Sequence, residues 1–428
     1  MTWSRRQIVA AGVFGALLAI ALTIIALNFL QPERRIQRQV EHRYTTGDAR
    51  FRHELSTLLG PPILQGNRVA NFENGDEIFP AMLAAIRGAR HSINFETYIY
   101  WSGEIGREFA DALIERAHAK VPVHVLIDWV GSQKMDETLV HEMAEAGVRI
   151  ERYHPLHWYH LVRMNNRTHR KLLVVDGKIG FTGGVGIADQ WQGHAQDDEH
   201  WRDSHYRIEG PAVAQMQAAF MDNWIKATGN VLRGEAYFPP LEPVGDAAGQ
   251  VFTSSPSGGA DSMLLMYLLA FSSAVKTIDI SASYFVPDEL TLDVLFDALK
   301  RGVRVRIIVP GDDIDTEIVR KASRASWGQL LAAGAQIHEY QPTMFHCKTV
   351  IVDGLLVSVG STNIDSRSFR LNDEANLNVY DAAFAHALTE VFERDLQHTR
   401  QITLQAWLHR PLTEKIMENA AAALSSQL

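Results

Sequence analysis

His169-Arg170-Lys171-Leu172-Leu173-Val174-Val175-Asp176-Gly177 returns later in the chain as His346-Cys347-Lys348-Thr349-Val350-Ile351-Val352-Asp353-Gly354. Each copy reads His-x-Lys, a mostly apolar run, then Asp-Gly. Side chains on a β-strand alternate between faces, so a histidine and a lysine two apart project together. That sets a titratable imidazole beside a fixed ammonium, a pairing suited to a phosphate. The aspartate falls on the opposite parity. Asp-Gly between apolar runs is a hairpin signal, so Asp176 and Asp353 read as residues that fix a strand end. One chance copy of such a pattern is expected in roughly a few per cent of chains of this composition. Two copies, each continuing into a second apolar run, are far rarer.

Around these stretches the rest of the chain falls into two similar halves. In each, apolar positions alternate between helical and strand periods before the His-x-Lys copy arrives. Phe79, Leu83 and Ile86 share a helical face, His91 to Trp101 reads as a strand, and Val121 to Val130 as another. The later half repeats the order with Met263 to Ala274, Thr277 to Val286 and Val303 to Pro310. Tyr98 and Tyr284 stand at similar distances ahead of the two histidines. Strands alternating with helices imply α/β layers, with a mixed sheet in each half. The expected fold class is therefore α/β: two duplicated α/β/α halves related by a pseudo-twofold axis. The expected bounds are 61–235 and 251–428, joined by a Pro-, Gly- and Ala-rich linker over 236–250.

Ahead of the halves, Ile8 to Leu30 carries no charged side chain and is long enough to span a bilayer. It lacks the small-residue cleavage site of a secretory signal, so one retained transmembrane helix over 8–30 is expected. Residues 31–60 read as a charged juxtamembrane segment. Arg34, Arg35, Arg38 and Arg43 follow the span and Arg5 and Arg6 precede it, a bias that places the body in the cytoplasm of a single-pass inner-membrane protein.

The 428 residues carry a net charge of −9, which argues against a general nucleic-acid binder. A single cysteine, Cys347, excludes an internal disulfide and a Cys-based zinc site. His154, His157 and His160 recur every third residue but have no acids at metal spacing, so no metal and no cofactor are expected. Phosphoryl chemistry without metal needs cations against the phosphate oxygens, which Lys171 and Lys348 supply. It also needs a nucleophile and a proton donor, and histidine serves as either. The segment Arg149 to Lys171 holds six Arg or Lys against one Glu and interleaves Trp158, Tyr159, Leu161 and Val162. Such a basic, aromatic lip suits an anionic phospholipid at a membrane surface.

The paired stretches resemble the motifs of the phospholipase D superfamily. Phe95-Glu96-Thr97-Tyr98, Gly180-Phe181-Thr182-Gly183-Gly184 and Arg367-Ser368-Phe369-Arg370-Leu371-Asn372-Asp373-Glu374 are similar to its bacterial cardiolipin synthase branch. The resemblance implies two phospholipase D-like halves with His169, Lys171, Asp176, His346, Lys348 and Asp353 as catalytic-motif residues. It implies His169 as nucleophile and His346 as acid and base. It also implies Asp203 and Glu374, at comparable offsets after the two histidines, as the acids that orient them. Gly360-Ser361-Thr362-Asn363 resembles the Gly-Ser-x-Asn stretch of the family, which makes Ser361 and Asn363 phosphate donors. The first half has Gly183-Gly184-Val185-Gly186 instead, with glycine where Asn363 stands. The implied reaction transfers a phosphatidyl group between phosphatidylglycerol molecules through a phosphohistidine, with anionic phospholipids and the membrane as partners. The alternatives are a phospholipase with water as acceptor, a nuclease of the same superfamily, and a non-catalytic lipid-binding protein.

Overall fold

The computed structural model describes residues 4–29, 36, 40–155, 166–256 and 261–424. The first half contributes β1 (Leu64–Glu73), β2 (Ile93–Thr97), β3 (Val123–Asp128), β4 (Arg149–Tyr153), β5 (Arg167–Thr168), β6 (Leu172–Val175), β7 (Ile179–Gly183) and β8 (Ser204–Glu209). The second contributes β9 (Ala247–Ser254), β10 (Thr277–Ala282), β11 (Arg304–Pro310), β12 (Gln336–Tyr340), β13 (Lys348–Val352), β14 (Leu356–Gly360), β15 (Asn372–Tyr380) and β16 (Thr399–Ile402).

Read outward from the centre, the first half runs β1-β8-β7-β6-β2-β3-β4 and the second β9-β15-β14-β13-β10-β11-β12, with β16 added at its edge. Strand for strand this is one order used twice. The two runs meet where β1 pairs antiparallel with β9, so a single sheet crosses both halves instead of one closed sheet in each. It is mixed: β2, β3 and β4 run parallel while β6, β7 and β8 alternate.

The sheet is covered in layers. Helices Asn74–Gly88 and Glu104–His118 bury Phe79, Leu83, Phe109 and Leu113 against Phe95, Leu173 and Phe181 of the first half. The opposite face is a core held in common, in which Leu172, Val174, Tyr206 and Ile208 meet Ile351, Val359, Leu377 and Val379. Tyr206 Oη and Thr349 Oγ1 hydrogen-bond across it at 2.8 Å. A fully buried side chain of this size stabilises by roughly 1.5–3 kcal/mol, so the halves are held together by the same effect that folds each of them.

Three expectations change. The strands ending at Trp101 and Val286 are shorter, stopping at Thr97 and Ala282. The bridges Tyr100–Ile187 and Phe285–Ile364 fix the equivalence of the halves, so Tyr98 corresponds to Ser283 and not to Tyr284. Second, the interval 236–250 is not all linker, since Ala247 already pairs with Asn67 in β1. Third, the segment after the apolar helix is no bare stalk. Helix Ala49–Leu59 buries Phe51 and Leu55 in the second half's core, and Ile36, Val40 and Tyr44 pack against it. Its sequence reads as charged because its apolar residues form one stripe of a short helix.

Helix Arg5–Phe29 precedes this. Its stretch Arg5–Ile24 has a mean hydropathy of 2.2 and no side chain buried in the protein, which makes it long and apolar enough to cross a membrane.

Candidate active site

The two hairpins set the geometry. Asp176 and Gly177 have φ of 55° and 62°, and Asp353 and Gly354 have 54° and 63°, the positive values that both central residues of a type I′ turn require. Each aspartate also gathers backbone amides. Asp176 accepts from Arg90, His91 and Ser92 at 2.6–3.0 Å, and Asp353 from Val275, Lys276 and Thr277 at 2.7–3.2 Å. The aspartates are thus tied at the far end of β6 and β13, seven residues or roughly 20 Å from the histidines, and are not part of the cluster around them. Grouping them with the catalytic residues is corrected accordingly.

At the other end, His169 and His346 sit just before their strands, with Lys171 and Lys348 two residues on. The acids reach them crosswise. Glu374, from the second half, lies with both oxygens 3.0 Å from His169 Nδ1. Asp203, from the first half, lies 2.7 Å from His346 Nδ1. A carboxylate only accepts, so in each ring Nδ1 carries the proton and Nε2 keeps the lone pair. Neither histidine is served by the acid that follows it in its own half, so the two motifs form one cluster.

Each acid is held in turn. Glu374 accepts from Ser361 Oγ at 2.5 Å and from Asn372 Nδ2 at 3.3 Å. Asp203 accepts from Trp191 Nε1 at 2.9 Å and from the Ser204 amide at 2.8 Å. Burial alone would raise both carboxylates; the facing imidazoles outweigh it and hold both below their ordinary values.

The cations crowd together. Burial, then repulsion from Lys348, brings Lys171 down to about 7. Burial takes His169 down to about 4, against the pull of Glu374. His346 is lowered by burial and by Lys348, whose Nζ lies 3.2 Å from both of its ring nitrogens. Both rings are therefore neutral near pH 7 without substrate, beside a positive charge that a phosphodiester would neutralise.

Ser361 and Asn363 both have partners within the cluster. The Ser361 hydroxyl spends its one proton on the Glu374 carboxylate, the strongest acceptor in reach. The Asn363 carbonyl oxygen accepts from Ser283 Oγ at 2.6 Å, which in turn accepts from Lys348 Nζ at 2.7 Å. Sequence reasoning missed Ser283, Asn372, Trp191 and Trp201. The tryptophans wall His346, with ring centroids 5.4 and 5.6 Å away. Their only signal was the glycine pair of the first half. A Cβ on Gly184 would stand 2.2 Å from the Asp203 carboxylate, and one on Gly186 3.1 Å from the Trp191 ring. The glycines make the room in which Trp191 takes over the hydrogen bond that Ser361 makes in the second half. The aromatic lip Trp158, Tyr159, Leu161 and Val162 lies outside the described residues, as do His157 and His160.

A family profile described as "Cardiolipin synthase, PLD-like domain" matches residues 82–224 and again 267–396, one match over each half of the cluster. The chain belongs to that family. Among cardiolipin synthases, it is 36% identical to Cardiolipin synthase 1 of Bacillus cereus over 380 residues, 86% of this chain and 74% of the relative. It is 35% identical to the Major cardiolipin synthase ClsA of Bacillus subtilis over 364 residues, 84% of this chain and 75% of the relative. The phosphatidylserine synthase of Haemophilus influenzae shares the fold, with a TM-score of 0.69 at 15% identity over 89% of this chain and all of that one. The family is one of phosphatidyltransferases, and this chain has its duplicated fold, paired histidines and an apolar helix fit for a membrane.

Proposed function

We propose that this protein is a cardiolipin synthase, moving a phosphatidyl group from one phosphatidylglycerol to another. The observation that carries the reading is the crosswise pair of histidine–carboxylate contacts, which gives one cluster two poised imidazoles and two lysines. His169 Nε2 attacks the phosphorus of the first phosphatidylglycerol. The glyceryl oxygen leaves with a proton from His346 Nε2, and a phosphatidyl–histidine remains. A hydroxyl of the second phosphatidylglycerol then attacks the same phosphorus while His346 takes its proton. Cardiolipin leaves and His169 is restored, so two phosphatidylglycerols give one cardiolipin and one glycerol. Lys171 and Lys348 balance the charge on the phosphate oxygens in both steps. Asp203 and the phosphodiester both favour the imidazolium form of His346 that the first step needs.

Water, at roughly 55 M, competes for the intermediate, so a synthase has to hold a lipid hydroxyl in place and keep the cleft dry. The burial of the two rings supports this: His169 and His346 side chains are 12% and 9% exposed. The apolar helix Arg5–Phe29 would hold the body at a bilayer, on the cytoplasmic side by the arginines that follow it. The test is the purified full chain in phosphatidylglycerol vesicles. Cardiolipin and free glycerol should form in equal amounts, with phosphatidic acid a minor product. Phosphatidic acid dominating at every lipid density would make the protein a phospholipase.

A further inference from the structure

Two rows of side chains cross the sheet at the level of the lysines. Pairing of β7, β8 and β1 sets Gly183, His205 and Phe72 side by side, and the β6–β7 register continued by one residue puts Lys171 at the end of that row. Pairing of β14, β15 and β9 sets Gly360, Asn376 and Phe252 in the same places, and the β13–β14 register continued by one residue puts Lys348 in the place of Lys171. His205 is thus the counterpart of Asn376, and the two are treated very differently. Asn376 is fully bonded: its oxygen accepts from Thr362 Oγ1 at 2.8 Å, and its amide donates to Ser358 at 3.0 Å and Tyr267 at 3.2 Å. Where Thr362 and Ser358 stand, the first half has Val185 and Phe181, which donate nothing. His205 is buried to 1% exposure, and among the described residues neither ring nitrogen has a hydrogen-bond partner.

Leaving a buried polar group unpaired is destabilising, and an apolar side chain beside Phe181 and Phe72 would avoid it. The lysines supply a reason for the imidazole. Lys348 has a side-chain acceptor, the Ser283 hydroxyl at 2.7 Å, besides the His346 carbonyl. At the place of Ser283 the first half has Tyr98, which turns its ring to Lys171, with the ammonium 5.8 Å from the centroid. Among the described residues Lys171 Nζ bonds only the His169 carbonyl, at 3.0 Å. One lysine lacks a side-chain acceptor, and on its own face one imidazole lacks a donor. Between them stands Gly183, without a side chain, and its missing Cβ would fall 2.6 Å from His205 Nδ1.

We infer that His205 is a positioning residue for Lys171: its neutral ring accepts from the ammonium through one water, and so aims that cation at the bound phosphate. Burial brings His205 down to about 4, which keeps it an acceptor at neutral pH. The inference rests on the proposed phosphate site but not on the identity of the lipid product.

Orthovanadate, a tetrahedral oxyanion, serves as the probe, titrated into the full chain in detergent. His205→Phe should weaken its binding about tenfold, the loss of one charge-assisted hydrogen bond. His205→Gln, which keeps an acceptor at the same reach, should recover most of it. In a Lys171→Met background His205→Phe should have no further effect, because the histidine would act through the lysine. If His205→Phe does not fold, His205→Asn, too short to reach, replaces it in the same cycle. Equal losses in both backgrounds, or no loss in either, would overturn the inference and leave His205 a packing residue. A protein that binds vanadate with this coupling but makes no cardiolipin sinks the proposed reaction alone. One that binds no vanadate sinks both.

Discussion

Glu374 lies 205 residues from His169 and Asp203 lies 143 from His346, yet each carboxylate fixes the tautomer of its distant ring. That crosswise arrangement separates the two roles experimentally. A phosphodiester with a p-nitrophenyl leaving group needs no proton to depart, so only the nucleophile and its acid are required for adduct formation. Glu374→Gln should slow the adduct at His169 on the order of 10³-fold, since an amide no longer enforces the tautomer with a charge. Asp203→Asn should leave that step nearly intact and slow turnover of phosphatidylglycerol instead. Mass spectrometry of the quenched enzyme reads the difference, and equal losses in both variants would mean that the rings do not divide the work. The buried charges also set a pH window. His169 is depressed to about 4, so its neutral, nucleophilic form persists well below the usual histidine range. Lys171 is depressed to about 7, so its charge is present below that pH and lost above it. The kcat/KM of adduct formation, which reports the free protein, should hold at pH 5, fall towards pH 4, and fall again as pH rises through about 7. A single acidic limb centred on 6.5 would show that His169 is solvated and not buried as found.

At the scale of the elements, the hairpins carry what the motif aspartates do. Asp176→Ala removes the acceptor of three backbone amides and puts alanine at a φ of 55°, for a combined cost of about 2–4 kcal/mol. Thermal melting should shift accordingly while turnover per folded molecule is retained; normal melting with lost turnover would return Asp176 to the chemistry. This much was legible in sequence, because turn type and strand parity are local properties of Asp-Gly and its apolar flanks. So were the duplicated order of strands and helices and the two His-x-Lys pairs. The partnership of each histidine with the acid of the other half was not, since nothing local distinguishes a carboxylate that faces its own half from one that crosses. Trp191 escaped for a related reason: its part depends on the space left by Gly184 and Gly186, and a missing side chain announces an absence without naming what fills it. The strand ends were drawn too long because Tyr98 and Tyr284 have high β-propensity, while the chain there leaves the ladder to reach the cleft.

At the scale of the molecule, the catalytic body begins earlier than its motifs. The common core and the β1–β9 pairing make the halves one body, and the segment around helix Ala49–Leu59 belongs to that body too. Phe51 and Leu55 lie in the core of the second half, Thr46 donates to Asp353 at 3.0 Å, and the Ile36 amide donates to Asp261 at 3.2 Å. Thr46 therefore braces the very aspartate that closes the second hairpin. Two truncations separate the anchor from this brace. Removing residues 1–35 takes away the apolar helix, whose stretch Arg5–Ile24 buries no side chain in the protein, and the body should melt at the same temperature as the full chain. Removing residues 1–60 also strips Phe51 and Leu55 from a closed core, at a cost of roughly 3–6 kcal/mol. For a unit of this size that lowers Tm by roughly 4–8 °C. The shorter truncation should still form the adduct with a soluble p-nitrophenyl phosphodiester, while the longer one should lose folded protein. If the two melt together, helix Ala49–Leu59 is only a tether, and the site stands on the duplicated halves alone.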